Sequence, residues 1–360
     1  MAFRDQLQVI KQTIVLGHTA AIVCCVLSNL LFSTSMMAQP PTVSADSADW
    51  DAAPAKLTIL TWNVEWMFDH ETQDNRSDLS KQQSAPSQDY WTWKVDAVAA
   101  AVANSGATIV ALQEIEGDRT LADIAKVLIG KHNLSYRYAF IQGTDTFTEQ
   151  DVGILQRTGL AHYSRHEQSK TMFDSGQFYN VSKHLFAEFR WRDVSSPLTL
   201  VNVHYRATSE SETERTKQGK LTRHWLERTL KDGRDVVVLG DLNSEHPVGE
   251  VAGEMKELLV GTTEEGPKMV DLLQFAAVDK RRTHMILDKQ FDRIVVSQSM
   301  IVDDPNGKDW VFKSLEIHPA WNIRGAGPDG QEHWDKRLTM PLTELDVSDH
   351  YPMTATFELR

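Results

Sequence analysis

Apolar runs that break abruptly into polar residues recur along this chain and define its predicted elements. Lys56 to Trp66, KLTILTWNVEW, opens β-branched and apolar and ends polar, as a buried strand running into a site would. Ile109 to Leu112 is a second buried strand and delivers Gln113 and Glu114 at its end; Leu198 to His204, LTLVNVH, is a third. Val236 to Asn243, VVVLGDLN, is an unbroken apolar run that meets a glycine and then Asp241 and Asn243. Such a run reads as a strand buried on both faces, with Gly240 allowing a sharp turn where it ends. Residues two apart in an extended segment point the same way, so Asp241 and Asn243 are expected to face one pocket.

The spacing predicts helices over Trp93 to Ala103, stopped by Asn104-Ser105-Gly106, and over Leu121 to Ile129, Glu214 to Leu230 and Gly249 to Val260. Further strands are expected at Tyr136 to Gln142, Asp151 to Gln156, Leu185 to Trp191 and Phe291 to Val296, with a last one after Pro352 running to Phe357. Asp69 to Asp89 is polar and aperiodic and reads as a long loop. Many strands, fewer helices and no short repeat indicate a layered α/β fold.

Composition narrows the picture. With 360 residues, 41% of them hydrophobic, the chain can form one large domain with a sizeable core. A formal net charge of -13 argues against tight, charge-driven binding to nucleic acid, but not against an enzyme that offsets its substrate's charge with a bound cation. Arg4 and Lys11 precede an apolar run from Ile14 to Phe32, and small residues lead to Ala38. Residues 1–38 are therefore expected to be a secretory signal. The alternative is a membrane anchor, since the run approaches the roughly 20 residues that span a bilayer. Residues 39–55 read as a linker and 56–360 as the folded domain. Cys24 and Cys25 are the two cysteines and both lie in the leader, so an exported mature chain has no thiolate nucleophile or cysteine zinc site.

Polar groups stand at one strand end after another: Asn63, Glu114, His204, Asp241 with Asn243, and Asp349 with His350, while Asp292 begins one more strand. Carboxylates and a carboxamide suit a hard cation such as magnesium. Two histidines beside it add proton transfer near neutral pH, a combination suited to attack of water on a phosphate ester.

WNVEW, LQEI, VNVH, GDLN, FDRIVVS and SDHYP, in this order between Lys56 and Arg360, resemble the motif series of the endonuclease/exonuclease/phosphatase superfamily, which includes deoxyribonuclease I and exonuclease III. The resemblance implies a four-layer α/β/β/α sandwich of two packed mixed β-sheets with outer helices, its site at the top. It makes Glu114 the principal Mg2+ ligand, with Asn63 beside it and Asp349 a further or water-mediated contact; Mn2+ is the expected substitute. Asp241 and Asn243 would position the attacking water and the phosphate. His350, oriented by Asp292, would be a base or phosphate contact, and His204 an opposing acid or phosphate donor. The family pattern leaves Asp241 and the His350–Asp292 pair as rival bases. It also wants an acidic partner for His204, and Ile141 to Gly143 contain none.

Lys183 and Arg206 are candidate phosphate contacts, and Glu116 reads as loop. Trp91, Trp93, Trp321 and Trp334 are candidates for stacking on bases or sugars. The expectation is an exported, monomeric, magnesium-dependent phosphodiesterase that cuts DNA or RNA without sequence specificity; no protein partner is implied. Its rivals are a phosphodiesterase or phosphatase of lipid headgroups, inositol phosphates or other small esters, and an inactive binding module, against which the complete polar set speaks.

Overall fold

The computed structural model describes residues 51–261, 266–305 and 307–360. The leader expected at 1–38, and the linker up to residue 50, lie outside the described residues.

The strands are β1 (Lys56–Met67), β2 (Ile109–Ile115), β3 (Arg137–Ala139), β4 (Asp151–Gln156), β5 (Leu160–Ser164), β6 (Lys183–Phe189), β7 (Leu198–His204), β8 (Asp235–Asp241), β9 (Met269–Asp271), β10 (Asp292–Ser297), β11 (Trp310–Ile317) and β12 (Met353–Leu359). They form two six-stranded sheets, ordered β11-β12-β1-β2-β4-β3 and β5-β6-β7-β8-β10-β9. Both sheets are mixed: β1 with β2 and β7 with β8 pair in parallel, and the remaining neighbours are antiparallel. The helices are α1 (Asp78–Gln83), α2 (Gln88–Ser105), α3 (Asp118–His132), α4 (Lys170–Asp174), α5 (Glu212–Lys231), α6 (Gly253–Leu259), α7 (Pro319–Asn322) and α8 (Glu332–Lys336).

Side chains alternate across each strand, so one sequence serves two cores. Leu57, Ile59, Ile109 and Ala111 of the first sheet meet Leu198, Leu200, Val237, Leu239 and Ile294 of the second, forming the central layer. The opposite face of the first sheet, with Leu60, Trp62, Val110 and Leu112, packs under α2 and α3 through Val98, Val102, Ile124 and Leu128. Val201, Val203, Val236 and Val238 turn outward from the second sheet against Leu221 and Leu226 of α5 and Met255 and Leu258 of α6. These three cores make the four-layer sandwich, and a fully buried side chain of this kind contributes about 1.5–3 kcal/mol.

The structure departs from the sequence reading in several places. Asp69 to Asp89 is not all loop: it contains α1 and the start of α2, whose N-caps Ser77 and Ser87 accept from the backbone N–H groups of Ser80 and Tyr90. Caps rather than an apolar stripe mark these turns. Tyr136 to Gln142 contributes only the short edge strand β3, and α6 begins at Gly253 rather than Gly249. The strands β5, β9 and β11, and the short α4, α7 and α8, had no sequence expectation. Gly240 is not a turn, because β8 continues through it to Asp241. The glycine is needed because its φ is +128° and a Cβ would lie 2.0 Å from the Val203 carbonyl of β7.

Candidate active site

The inward-facing positions that fill the central core become polar as each strand ends. Leu57, Ile59, Thr61 and Asn63 share one face of β1; Leu198, Leu200, Asn202 and His204 share one of β7; Val237, Leu239 and Asp241 share one of β8. On β10 the order reverses, so that Asp292 opens the strand and pairs in register with Asp241. A neutral layer separates these ends from the apolar core: Gln113 Nε2 donates to Asn202 Oδ1 at 2.7 Å and to Thr61 Oγ1 at 3.2 Å.

Glu114 breaks this rule, since strict alternation would turn it away from the central layer. A register irregularity lies between Gln113 and Ile115, and Glu114 has φ +62°. The left-handed backbone brings its carboxylate to the site instead. β1 is irregular between Asn63 and Met67, where Glu65 and Trp66 both have positive φ. There Trp66 N–H donates to Glu114 Oε2 at 2.9 Å. Strain is therefore concentrated where the two parallel strands present their polar ends.

Asp241 is the hub. Its Oδ2 accepts from Asn63 Nδ2 at 2.9 Å and lies 3.6 Å from His204 Nε2 and 3.8 Å from His350 Nε2. Its Oδ1 accepts the Asn243 backbone N–H at 2.8 Å. The expected side-by-side arrangement of Asp241 and Asn243 does not hold: Asn243 lies beyond the strand at φ +49°, and its Nδ2 donates to the Tyr205 carbonyl at 3.1 Å. His350 Nδ1 is 2.8 Å from Asp292 Oδ2, and its Nε2 is 3.8 Å from Asp349 Oδ1. Asn63, Glu114, His204, Asp241, Asp292, Asp349 and His350 are thus brought together.

Electrostatics follow from burial and proximity. Burial pushes the Glu114 carboxyl up to about 7, and the charge of Asp349 adds to that rise. Asp241 is also raised, first by burial, although His350 opposes it. Burial lowers His204 well below the ordinary histidine value, reinforced by the charges of Lys183 and His350. His204 Nδ1 is buried with no hydrogen-bond partner among the described residues, in keeping with the missing carboxylate near Ile141. For His350, burial works against the charged form, but Asp292, Asp241 and Asp349 together raise it well above the usual value.

Other candidates lie differently. Lys183 is buried, with Nζ 3.1 Å from Gln150 Oε1 and 3.5 Å from Asp145 Oδ2. Arg206 is exposed and donates to the Tyr179 hydroxyl at 2.9 Å. Glu116 accepts the Asp69 backbone N–H at 2.8 Å and braces that loop. Trp91 is buried and donates to Asp123, Trp93 packs on Tyr90, and Trp321 stacks on His318 at 3.7 Å. Trp334 donates its indole N–H to Asp349 Oδ2 at 2.8 Å. Sequence reasoning missed Glu65, His284 and His333, all buried beside the site. Glu65 stood inside the WNVEW string two residues past Asn63; the two histidines had no local signal.

Glu114 and Asp241 are joined by one neutral amide, and among the described residues neither forms an ion pair with a lysine or arginine. Two carboxylates, Asp241 buried and Glu114 partly buried, with no lysine or arginine paired to them among the described residues, are a donor set that a divalent ion would complete. Ligand atoms of Glu114, His204 and Asp241 all lie within 4.8 Å of one another, close enough to hold a metal. A cluster of this kind at the edge of the central core could hold a divalent ion beside a phosphate ester.

The sequence model of the Endonuclease/Exonuclease/phosphatase family matches residues 60–350, and the chain belongs to that family. No curated protein is matched. Among solved structures, an endonuclease/exonuclease/phosphatase from Bacteroides vulgatus is similar at 18% identity, covering 85% of this chain and 100% of that one, with a TM-score of 0.53. TDP2 from D. rerio, complexed with a single-strand DNA product, is similar at 16% identity over 85% of this chain and 100% of its own, TM-score 0.51. The human Nocturnin catalytic domain with a bound sulfate anion gives 12% identity, 87% and 97% coverage and a TM-score of 0.51.

Proposed function

We propose that this chain is an exported, magnesium-dependent phosphodiesterase that cleaves nucleic-acid strands without sequence preference. The observation that carries the reading is the position of Asp241 Oδ2, 3.6 Å from His204 Nε2 and 3.8 Å from His350 Nε2 and hydrogen-bonded to the amide that also holds Glu114. Glu114 and Asp349 would hold the ion, which when bound polarises the phosphate and offsets developing charge; Asn63, expected as a ligand, turns its Nδ2 to Glu114 and Asp241 and orients those carboxylates instead. Asp241 takes the proton of the attacking water, with Asn243 fixing that carboxylate through its backbone N–H. His350, oriented by Asp292, and His204 on the opposite side donate to phosphate oxygens. The nucleic-acid class is supported by the TDP2 likeness and its DNA product, and the exported state by the charged and apolar leader.

A second reading, hydrolysis of a lipid headgroup, inositol phosphate or other small ester, is favoured by the net charge of -13. Protein lacking residues 1–38 should be assayed with Mg2+ against DNA, RNA, sphingomyelin, inositol phosphates and bis(p-nitrophenyl) phosphate. Cleavage of DNA or RNA is the expected result. Turnover confined to a small or lipid ester would replace it with the second reading, and no turnover of any substrate would leave a binding module. Fractionation of the producing cells should find the processed chain released; full-length chain in the membrane fraction would make the leader an anchor.

A further inference from the structure

Helix α8 places two consecutive side chains beneath the site. His333 Nε2 lies 2.6 Å from Glu65 Oε2, and its Nδ1 lies 2.9 Å from Asp329 Oδ2. Glu65 Oε2 in turn accepts the Asp349 backbone N–H at 3.1 Å. The main chain of Asp349 is therefore tied down through Glu65. Its side chain is held separately, because Trp334 donates to Oδ2 at 2.8 Å and His284 Nε2 lies 3.5 Å from the same oxygen.

His284, Asp349 and His350 are close enough to be grouped as a possible metal trio. The hydrogen bonds of His284 argue otherwise. Its Nδ1 accepts the backbone N–H groups of Ile286 at 3.2 Å and Leu287 at 3.0 Å. A ring nitrogen that accepts in this way carries no proton, so the proton is on Nε2 and faces Asp349. Protonated Nε2 is a donor and cannot ligate a metal. Both groups on Oδ2 are thus N–H donors, and Oδ1, 3.8 Å from His350 Nε2, is left toward the catalytic side.

We infer that Trp334 and His284 are positioning residues that grip Oδ2 of Asp349 as a pair of N–H donors, so that Oδ1 is the atom presented to the site. The segment expected to supply a stacking tryptophan then acts as a brace for a carboxylate. Partners that orient a ligating carboxylate matter for metal affinity as well as for rate. This inference rests on the reading of Asp349 as a metal contact, and the experiment separates the two.

Mn2+ binding to the protein is measured from the free-ion electron paramagnetic resonance signal for the wild type and for Trp334→Phe, His284→Phe and Asp349→Ala. Thermal unfolding without metal reports which variants are folded, and the two donor variants are independent routes to the same oxygen. In a folded variant, loss of either N–H should weaken Mn2+ binding by about tenfold or more, and turnover should recover toward wild type at saturating Mn2+. A role in packing alone would lower the melting temperature and leave the Mn2+ affinity of the folded protein unchanged. Wild-type affinity in folded Trp334→Phe and His284→Phe, with weakened binding in Asp349→Ala, would overturn the inference alone. Wild-type affinity in Asp349→Ala would remove Asp349 as a metal contact and the inference with it.

Discussion

The carboxamide nitrogen of Asn63 donates to Glu114 Oε1 at 3.0 Å and to Asp241 Oδ2 at 2.9 Å, joining one carboxylate from each sheet. Its oxygen accepts the Glu65 N–H at 3.0 Å, which fixes which end of the amide faces the carboxylates. One neutral side chain thereby sets the spacing of two acidic groups across the sandwich. Asn63→Ala should reduce turnover of bis(p-nitrophenyl) phosphate by about 10- to 100-fold, the range for loss of a group that orients ligands. Wild-type turnover in a folded variant would reduce Asn63 to packing.

Removal of divalent metal by EDTA should abolish hydrolysis, because nothing would then polarise the phosphate and offset the charge that develops on it beside the Glu114 and Asp241 carboxylates. Added Mg2+ or Mn2+ should restore it. Full activity in chelator would end the metal assignment.

Asp241→Asn keeps the side-chain volume but removes the proton acceptor, and His350→Ala removes the ring that Asp292 orients. Each should cost about 100-fold or more in turnover, measured under saturating metal and substrate. Comparable rates in all three proteins would place both residues outside the chemistry.

The Glu65–His333 pair should govern stability at alkaline pH. Burial alone would lower the His333 pKa, but Glu65 and Asp329 raise it to about 9, with a smaller contribution from Asp349. A histidine raised in the folded state contributes stability that is complete below about 6.5, its unfolded value, and lost as pH rises through the folded value. The wild-type melting temperature should therefore fall between pH 7 and pH 9.5, roughly the span of these two values. His333→Leu should fall less over the same range and start lower, since an unpaired buried Glu65 costs about 3–5 kcal/mol. Parallel pH profiles would contradict this.

Gly240→Ala should destabilise the second sheet next to its functional end. The added methyl would meet the Val203 carbonyl at 2.0 Å, and φ +128° is a conformation that alanine avoids. Loss of soluble protein, or a lower melting temperature with impaired turnover, is expected. A variant with wild-type stability would show that β7 and β8 can separate locally.

Most of the site's membership was legible along the chain. A buried strand advertises itself by an apolar run, and its polar end by the residue that stops the run, so Asn63, Glu114, His204 and Asp241 could be named before any coordinates, with Asp292 at the start of β10 and Asp349 and His350 just before β12. The individual strands β1, β2, β7 and β8 and the helices α2, α3 and α5 were equally visible, though not the pairing of the strands, because long amphipathic or apolar segments bury enough surface to impose their own periodicity. Short pieces such as β9 and α8 carry too few residues to do so.

By itself the sequence determined which residues end the strands, and hence which functional groups were available at the edge of the core. Only the tertiary structure decided how they face one another. Glu114 reaches the site because left-handed backbone overrides strand alternation, and Asn243, also left-handed, turns its side-chain amide N–H to the Tyr205 carbonyl. Gly240 serves a close approach of two strands that no local pattern records. The partners of Asp349 come from Glu65, His284 and Trp334, which are distant from one another in sequence; hydrogen bonds between such residues depend on the packing of whole layers, and periodicity reports only the face that each layer buries.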